Sequence, residues 1–192
     1  MKILVIRFSS IGDIVLTTPV VRVLKKQLKG AEVHFLIKKQ FAPIIESNPY
    51  VDKVYTFQQH LPQLIHELKQ ERYDYVVDLH KNFRSYRIRR ALGVKTLSYR
   101  KLSVEKFLLT KFGINRMPGR HITQRCLDAV VPLGVVDDGQ GLDYFIPEKD
   151  RVQAEQLPDA HQSGFVAIVI GASYYTKKLP VHQLQALCRE IQ

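Results

Sequence analysis

The chain has 192 residues, long for one domain and short for two, and carries a formal net charge of +11. With 45% hydrophobic and 24% charged residues it has the composition of an ordinary globular protein. Its longest apolar runs, 3–6 and 165–170, fall far short of the ~20 residues that cross a bilayer. So large a positive excess favours an anionic partner: nucleic acid, an acidic membrane surface or a phosphorylated substrate.

In chain order, residues 2–8 are β-branched and apolar and predict a buried strand. Residues 19–28 predict a helix with Thr18 as N-cap and Pro19 in its first turn, or a helix that begins near Asp13 and bends at Pro19. Strands are expected at 32–37, 54–57 and 75–79, with a short helix at 41–47 and longer ones at 61–70 and 83–92. Gly93 closes the last of these. Further helices are expected at 104–111 and 121–131, a strand at 165–170 and a helix at 180–192. The β-α alternation predicts an α/β fold, a Rossmann-like, doubly wound parallel sheet. The expected organisation is a domain over 1–146, a linker over 147–164, to which 137–141 also contributes, and the start of a second α/β domain over 165–192. A lone strand and helix cannot bury their own apolar faces, so that second domain is expected to be truncated.

Cys126 and Cys188 are far apart and sit in helical patterns, so both are expected in the core. Two cysteines exclude a disulfide framework, and no histidine pair has ligand spacing, so neither metal nor cofactor is expected. The short apolar run after Met1 and Lys2 is no signal peptide, which predicts a cytoplasmic location.

The first candidate site is Ser9-Ser10-Ile11-Gly12-Asp13, directly after the first strand. Ligands of open α/β sheets bind beyond the carboxyl ends of the strands, where such a loop lies. Gly-x-Gly-x-x-Gly is absent, which argues against a dinucleotide-dependent oxidoreductase, and Gly-Lys-[Ser/Thr] is absent too. Asp13 is either a general base or the cap of the next helix. A second region, 75–85, reads Tyr-Val-Val-Asp-Leu-His-Lys-Asn-Phe-Arg-Ser and opens the most basic stretch of the chain, which runs to Lys101. Lys81, Arg84 and Arg87 are anion-binding candidates there, the two arginines three apart on one helix face. A third, Gly171-Ala172-Ser173-Tyr174-Tyr175-Thr176-Lys177-Lys178-Leu179-Pro180, joins hydroxyls and a lysine to a helix start, a physically sound pyrophosphate site.

The opening Ile3-Leu4-Val5-Ile6-Arg7-Phe8-Ser9-Ser10-Ile11-Gly12-Asp13, followed by Thr17-Thr18-Pro19, resembles the ADP-heptose:lipopolysaccharide heptosyltransferases of glycosyltransferase family 9. The other two regions resemble that family's Asp-Leu-x-x-x-x-[Arg/Lys]-Ser and Lys-x-Trp-Pro elements, with Leu179 standing where many members have tryptophan. The resemblance implies the amino-terminal half of a GT-B enzyme, with a nucleotide-binding second domain truncated in this chain. It implies an inverting transferase that moves a heptose or related sugar from an ADP-sugar to the phosphorylated lipopolysaccharide inner core. Asp13 would be the catalytic base. Ser9, Ser10, Gly12, Lys81, Arg84 and Arg87 would bind the acceptor, and Ser173, Thr176 and Lys177 the donor. These 192 residues alone are expected to transfer no sugar. Peripheral contact with the anionic inner face of the inner membrane is left open; nucleic acid is not expected, for no recognised binding signature appears. The rival reading is a non-catalytic binder of nucleic acid or acidic membrane on the same Rossmann-like fold.

Overall fold

The computed structural model describes residues 1–192 apart from Gln59, Ser163, Ser173 and Gln192. Contacts divide the chain into two units, Met1–Glu148 and Lys149–Gln192.

In the first unit, β1 (Lys2–Ile6), β2 (Glu32–Lys38), β3 (Lys53–Phe57), β4 (Tyr75–Asp78) and β5 (Lys95–Ser98) form a parallel sheet in the order β3-β2-β1-β4-β5. The helices are α1 (Ile11–Val15), α2 (Thr18–Gln27), α3 (Leu61–Gln70), α4 (Phe83–Leu92), α5 (Ser103–Phe112) and α6 (Ile122–Asp128). Alternation along β1 shows why both sheet faces are covered. Ile3 and Val5 pack with Val20, Val21 and Leu24 of α2 and Leu127 of α6, whereas Leu4 and Ile6 pack with Leu64 and Leu68 of α3 and Ile88 of α4. This is the expected doubly wound architecture. From β1 the chain steps outward to β3, then returns beyond β1 to β4 and β5. The order therefore reverses between β1 and β4, which opens a crevice at their carboxyl ends.

Several local expectations are corrected. Both alternatives at the first helix hold in part: α1 ends at Val15 and α2 begins at Thr18. Thr18 is not the cap; it is the first helical residue, its hydroxyl donating to the Val15 carbonyl at 2.8 Å and accepting from the Asp143 N–H at 2.9 Å. The helix expected at 41–47 is a 3-10 turn at Lys39–Ile44, with Pro43 inside it. Strand β5, Lys-Thr-Leu-Ser, was not expected; it is a short edge strand in which only Leu97 is buried, too little apolar pattern to read. Residues 137–141 are no free connection. Arg22, its side chain 1% exposed in the middle of α2, forks onto Asp138 at 2.7 and 2.8 Å, bonds Asp143, and donates to the Gly141 carbonyl at 2.9 Å.

The second unit holds α7 (Asp159–Gln162), α8 (Val181–Ile191) and short 3-10 turns. Residues 165–170, expected as a strand, join no ladder. The unit has no other strand among its described residues, and a strand is defined by the neighbour whose backbone it pairs with. Cys126 is buried as expected, its thiol pushed up to about 11 chiefly by burial. Cys188 is exposed instead, on a helix with no buried residue among those described.

Candidate functional site

Three strand ends build the crevice: the turn after β1 supplies Ser9, Ser10 and Asp13, the turn after β4 supplies His80 and Asn82, and the segment after β5 supplies Tyr99, Lys101, Ser103 and Lys106. Arg7 and Arg125 complete a cleft of about 500 Å³.

Asp13 is the third residue of α1, and one of its oxygens does all the local anchoring. Oδ2 accepts from the Ser10 N–H at 3.3 Å and the Ser10 hydroxyl at 2.9 Å, and pairs with Arg7 Nη2 at 2.8 Å. Among the described residues Oδ1 has no hydrogen-bond partner, and the side chain is 43% exposed. The two readings of Asp13 are therefore compatible: one oxygen caps the helix while the other faces the cleft. Burial pushes the carboxyl up, but the Ser10 hydroxyl and the Arg7 charge outweigh it, so Asp13 titrates below its ordinary 3.8 and is ionised at neutral pH. Arg7 is itself fixed, donating to the Ser9 carbonyl at 2.9 Å and to the Leu79 carbonyl. Gly12 adds no side chain beside the carboxylate, and a Cβ there would meet nothing within 4 Å.

The turn after β4 is organised by the buried Asp78. Its Oδ1 accepts from the N–H groups of His80 (3.0 Å) and Lys81 (2.8 Å), and its Oδ2 from the Ser85 hydroxyl at 2.8 Å. The Asp-to-Ser spacing of the second motif is thus a turn clamp, which also holds Lys81 at a φ of 50°. His80 packs edge-on against Phe8, ring centroids 5.0 Å apart, and its buried Nδ1 has no partner among the described residues. Burial, aided by the Arg7 charge, lowers its pKa to about 4, so the imidazole is neutral at pH 7.

Arg7, Lys101, Lys106 and Arg125 face a single carboxylate, Asp13, among the residues lining the cleft. Such a surround suits an anionic ligand. Arg125 lies with its guanidinium carbon 5.5 Å from the Tyr99 ring centroid and donates to the Arg100 carbonyl at 3.0 Å.

Not every sequence candidate meets here. Ser9, Ser10 and Asp13 do. Lys81 is near, but its Nζ is engaged by the Tyr99 carbonyl at 3.0 Å. Arg84 and Arg87 line a different groove, of about 940 Å³, with Lys38, Lys39 and Phe57, and Arg84 stacks 5.7 Å from the Phe57 ring centroid. In the second unit, Thr176 and Lys177 lie exposed in a 3-10 turn, Lys177 Nζ 5.6 Å from the Tyr174 ring centroid; Ser173 lies outside the described residues. Reading the sequence missed His80, Lys106 and Arg125 as site residues. The available signal was position, since His80 directly follows a strand end; Lys106 and Arg125 sit on helices and carry no such mark.

Among the described residues one cluster, Glu32, His34 and Glu71, has metal-ligand spacing. It lies at the amino-terminal ends of the strands, away from the cleft, and its carboxylates already pair with Lys2, at 3.3 Å for Glu32 and 2.6 Å for Glu71.

No protein-family model matches the chain. It is 28% identical over 118 residues to lipopolysaccharide heptosyltransferase 1 of Campylobacter coli, covering 58% of this chain and 34% of that protein. It is also 28% identical over 141 residues to lipopolysaccharide heptosyltransferase 3 of Escherichia coli K12, covering 66% of this chain and 40% of that protein. The aligned part thus spans about a third to two fifths of these relatives. A solved glycosyl transferase family 9 structure from Veillonella parvula superposes with a TM-score of 0.76 over 99% of this chain and 59% of its own, at 23% identity. The E. coli heptosyltransferase WaaC with ADP-2-deoxy-2-fluoro heptose gives 0.63 over 100% of this chain and 65% of its own, at 17% identity. The curated relatives are thus lipopolysaccharide heptosyltransferases and the shared fold is that of solved family 9 and heptosyltransferase structures, which bears out the resemblance carried by the three motifs.

Proposed function

We propose that this chain provides the acceptor side and the catalytic base of an inverting glycosyltransferase acting on the lipopolysaccharide inner core, with an ADP-heptose-like donor. The observation that carries the reading is the divided carboxylate of Asp13, Oδ2 anchored and Oδ1 open to a positively charged cleft at the switch point of the sheet. In the step, an acceptor hydroxyl attacks the anomeric carbon and its proton passes to Oδ1, while the bond from that carbon to the diphosphate breaks and its electron pair leaves with the nucleotide. An aspartate held this acidic is a weak base toward a resting alcohol. It accepts the proton once attack has made the hydroxyl acidic, which favours transfer late in bond formation.

Ser9, Ser10 and Gly12 shape the turn that presents the carboxylate. Lys101, Lys106 and Arg125 join the reading as further acceptor-binding groups. Lys81, Arg84 and Arg87 extend it to phosphates farther along the acceptor, the two arginines through their separate groove. Ser173, Thr176 and Lys177 would steady the departing diphosphate, an electrostatic task. A non-catalytic anion binder would use the same cations but gives no role to a half-free carboxylate among them. The test is transfer itself: the native protein carrying this chain, given ADP-heptose and phosphorylated core, should add one heptose mass to the core. Hydrolysis of the donor with no mass added to any core acceptor would overturn the assignment.

A further inference from the structure

His80 lines the cleft that holds Asp13, yet the transfer step gives it no part. All of it is fixed except one nitrogen. Its backbone N–H donates to Asp78 Oδ1 at 3.0 Å, and its ring is seated on Phe8, which is wholly buried. Phe8 is braced in turn by Phe57, ring centroids 5.6 Å apart. The Nδ1 atom is enclosed and has no partner among the described residues. Nε2 has no partner among them either but is not enclosed, so it is the nitrogen through which the ring reaches the cleft. The other enclosed polar side-chain atoms without a partner among the described residues, Thr123 Oγ1 and Arg125 Nε, gather at the same place: Arg125 lines the cleft, and Thr123 follows the lining residue Ile122. Hydrogen-bonding capacity left unspent in an otherwise satisfied interior marks a site built for a ligand.

Resting on the transferase reading, we propose that His80 is a specificity-determining residue, its Nε2–H donating to an uncharged hydroxyl of the acceptor sugar and so deciding which neighbouring hydroxyl meets Asp13. A neutral imidazole has one N–H and one bare nitrogen, and an enclosed N–H with no acceptor is the costlier orphan. The proton therefore sits on Nε2. Burial, then the charges of Arg7, Lys101 and Lys38, outweigh Asp78 and keep the ring neutral at pH 7. An anion on Nε2 would draw a second proton onto the ring; a hydroxyl does not. The division of work follows from the physics of each group. The cations of the cleft attract phosphate from a distance and cannot sort one hydroxyl from the next. A rigid neutral donor can, because a hydrogen bond weakens steeply away from its line. Strands β1 and β4 are adjacent, with Ile6 in register beside Asp78, so the turns that carry Asp13 and His80 leave the sheet side by side and one sugar can meet both.

The test uses phosphorylated core and a series in which each hydroxyl of its accepting sugar, apart from the one glycosylated, is replaced by hydrogen. Binding to the native protein carrying this chain is measured by titration calorimetry without donor. One of these deoxy acceptors should bind roughly tenfold or more weakly than the parent, because it leaves the Nε2–H unpaired. His80→Phe keeps a ring against Phe8 but has no N–H. It should weaken the parent about three- to tenfold and bind that deoxy acceptor as well as the parent, while His80→Gln, which keeps a donor, should restore part of the preference. Nitrogen NMR of the wild type at pH 7 should show Nε2 protonated and Nδ1 bare, with and without acceptor. Preserved discrimination in a folded His80→Phe would overturn the proposal. So would a ring that gains a second proton when the acceptor binds, which would pair it with a phosphate or carboxylate. If His80→Phe does not fold, the wild-type spectra decide: an Nε2 resonance that the parent and that deoxy acceptor move equally, or not at all, overturns it. No arm uses sugar transfer, so failure here leaves Asp13 as base untouched, and failure of transfer leaves these binding results standing.

Discussion

Replacing Arg22 by methionine isolates the tie between α2 and residues 138–143. Methionine keeps much of the apolar stem but removes the fork to Asp138, the pair with Asp143 and the bond to the Gly141 carbonyl. Removing one partner of a buried ion pair typically costs 3–5 kcal/mol. The two aspartates are 16% and 15% exposed and can partly rehydrate, which points to the low end, about 3 kcal/mol. At a urea dependence of about 1–3 kcal/mol/M, the midpoint should fall by 1 M or more. Adding Asp138→Asn and Asp143→Asn to the variant should restore part of the loss, because no unpaired charge then remains. The pH profile gives an independent check. Arg22, the largest influence on Asp138, holds its pKa at about 2 against an ordinary 3.8. The unfolded chain therefore binds the proton first, and this stability is present above about pH 4 and lost as pH falls through about 2. That acid slope should shrink in Arg22→Met. A loss under 1 kcal/mol with an unchanged acid slope would refute the clamp.

The two basic grooves make separable predictions. Charge reversal at Lys101 and Lys106 should weaken binding of phosphorylated core more than tenfold by titration calorimetry, since charge-assisted contacts contribute about 1.5–3 kcal/mol each. Reversal at Arg84 and Arg87 should weaken fully phosphorylated core comparably but leave a truncated acceptor nearly unaffected; equal effects on both acceptors would merge the grooves into one site. His80 should remain neutral across the working range, and a histidine ring resonance with a midpoint near 4 that vanishes in His80→Gln would verify it. A His80 midpoint near 6.5 would mean the ring is solvated rather than buried against Phe8.

The sheet was legible because β1, β2 and β4 have apolar, β-branched centres and β3 carries Val-Tyr-Thr-Phe, all strand-forming side chains, and α3 and α4 because proline and glycine mark their ends. β5 was not: it is four residues, Lys-Thr-Leu-Ser, with Leu97 as its one apolar side chain, whereas the other edge strand, β3, shows three strand-forming apolar or aromatic side chains, Val54, Tyr55 and Phe57. The motif after β1 pointed to the carboxylate that lines the cleft, but not to the division between its oxygens, which depends on Arg7 reaching back across the turn. Arg84 and Arg87 were grouped with Asp13 because sequence reports charge density and helix face, not which side of β4 the helix leaves the cleft. Arg22 was invisible for a further reason: its partners lie 116 and 121 residues away, in a stretch that reads as linker.

The catalytic claim is tested most directly by the turnover of Asp13→Asn in the native protein carrying this chain. Asparagine can keep an oxygen toward Ser10 and Arg7 and caps a helix about as well as aspartate, so folding and acceptor affinity should change little. Removing the base should lower kcat roughly 10²–10⁴-fold with KM nearly constant. Turnover within a few-fold of wild type, in a variant shown to be folded, would contradict the account and leave Asp13 a helix cap.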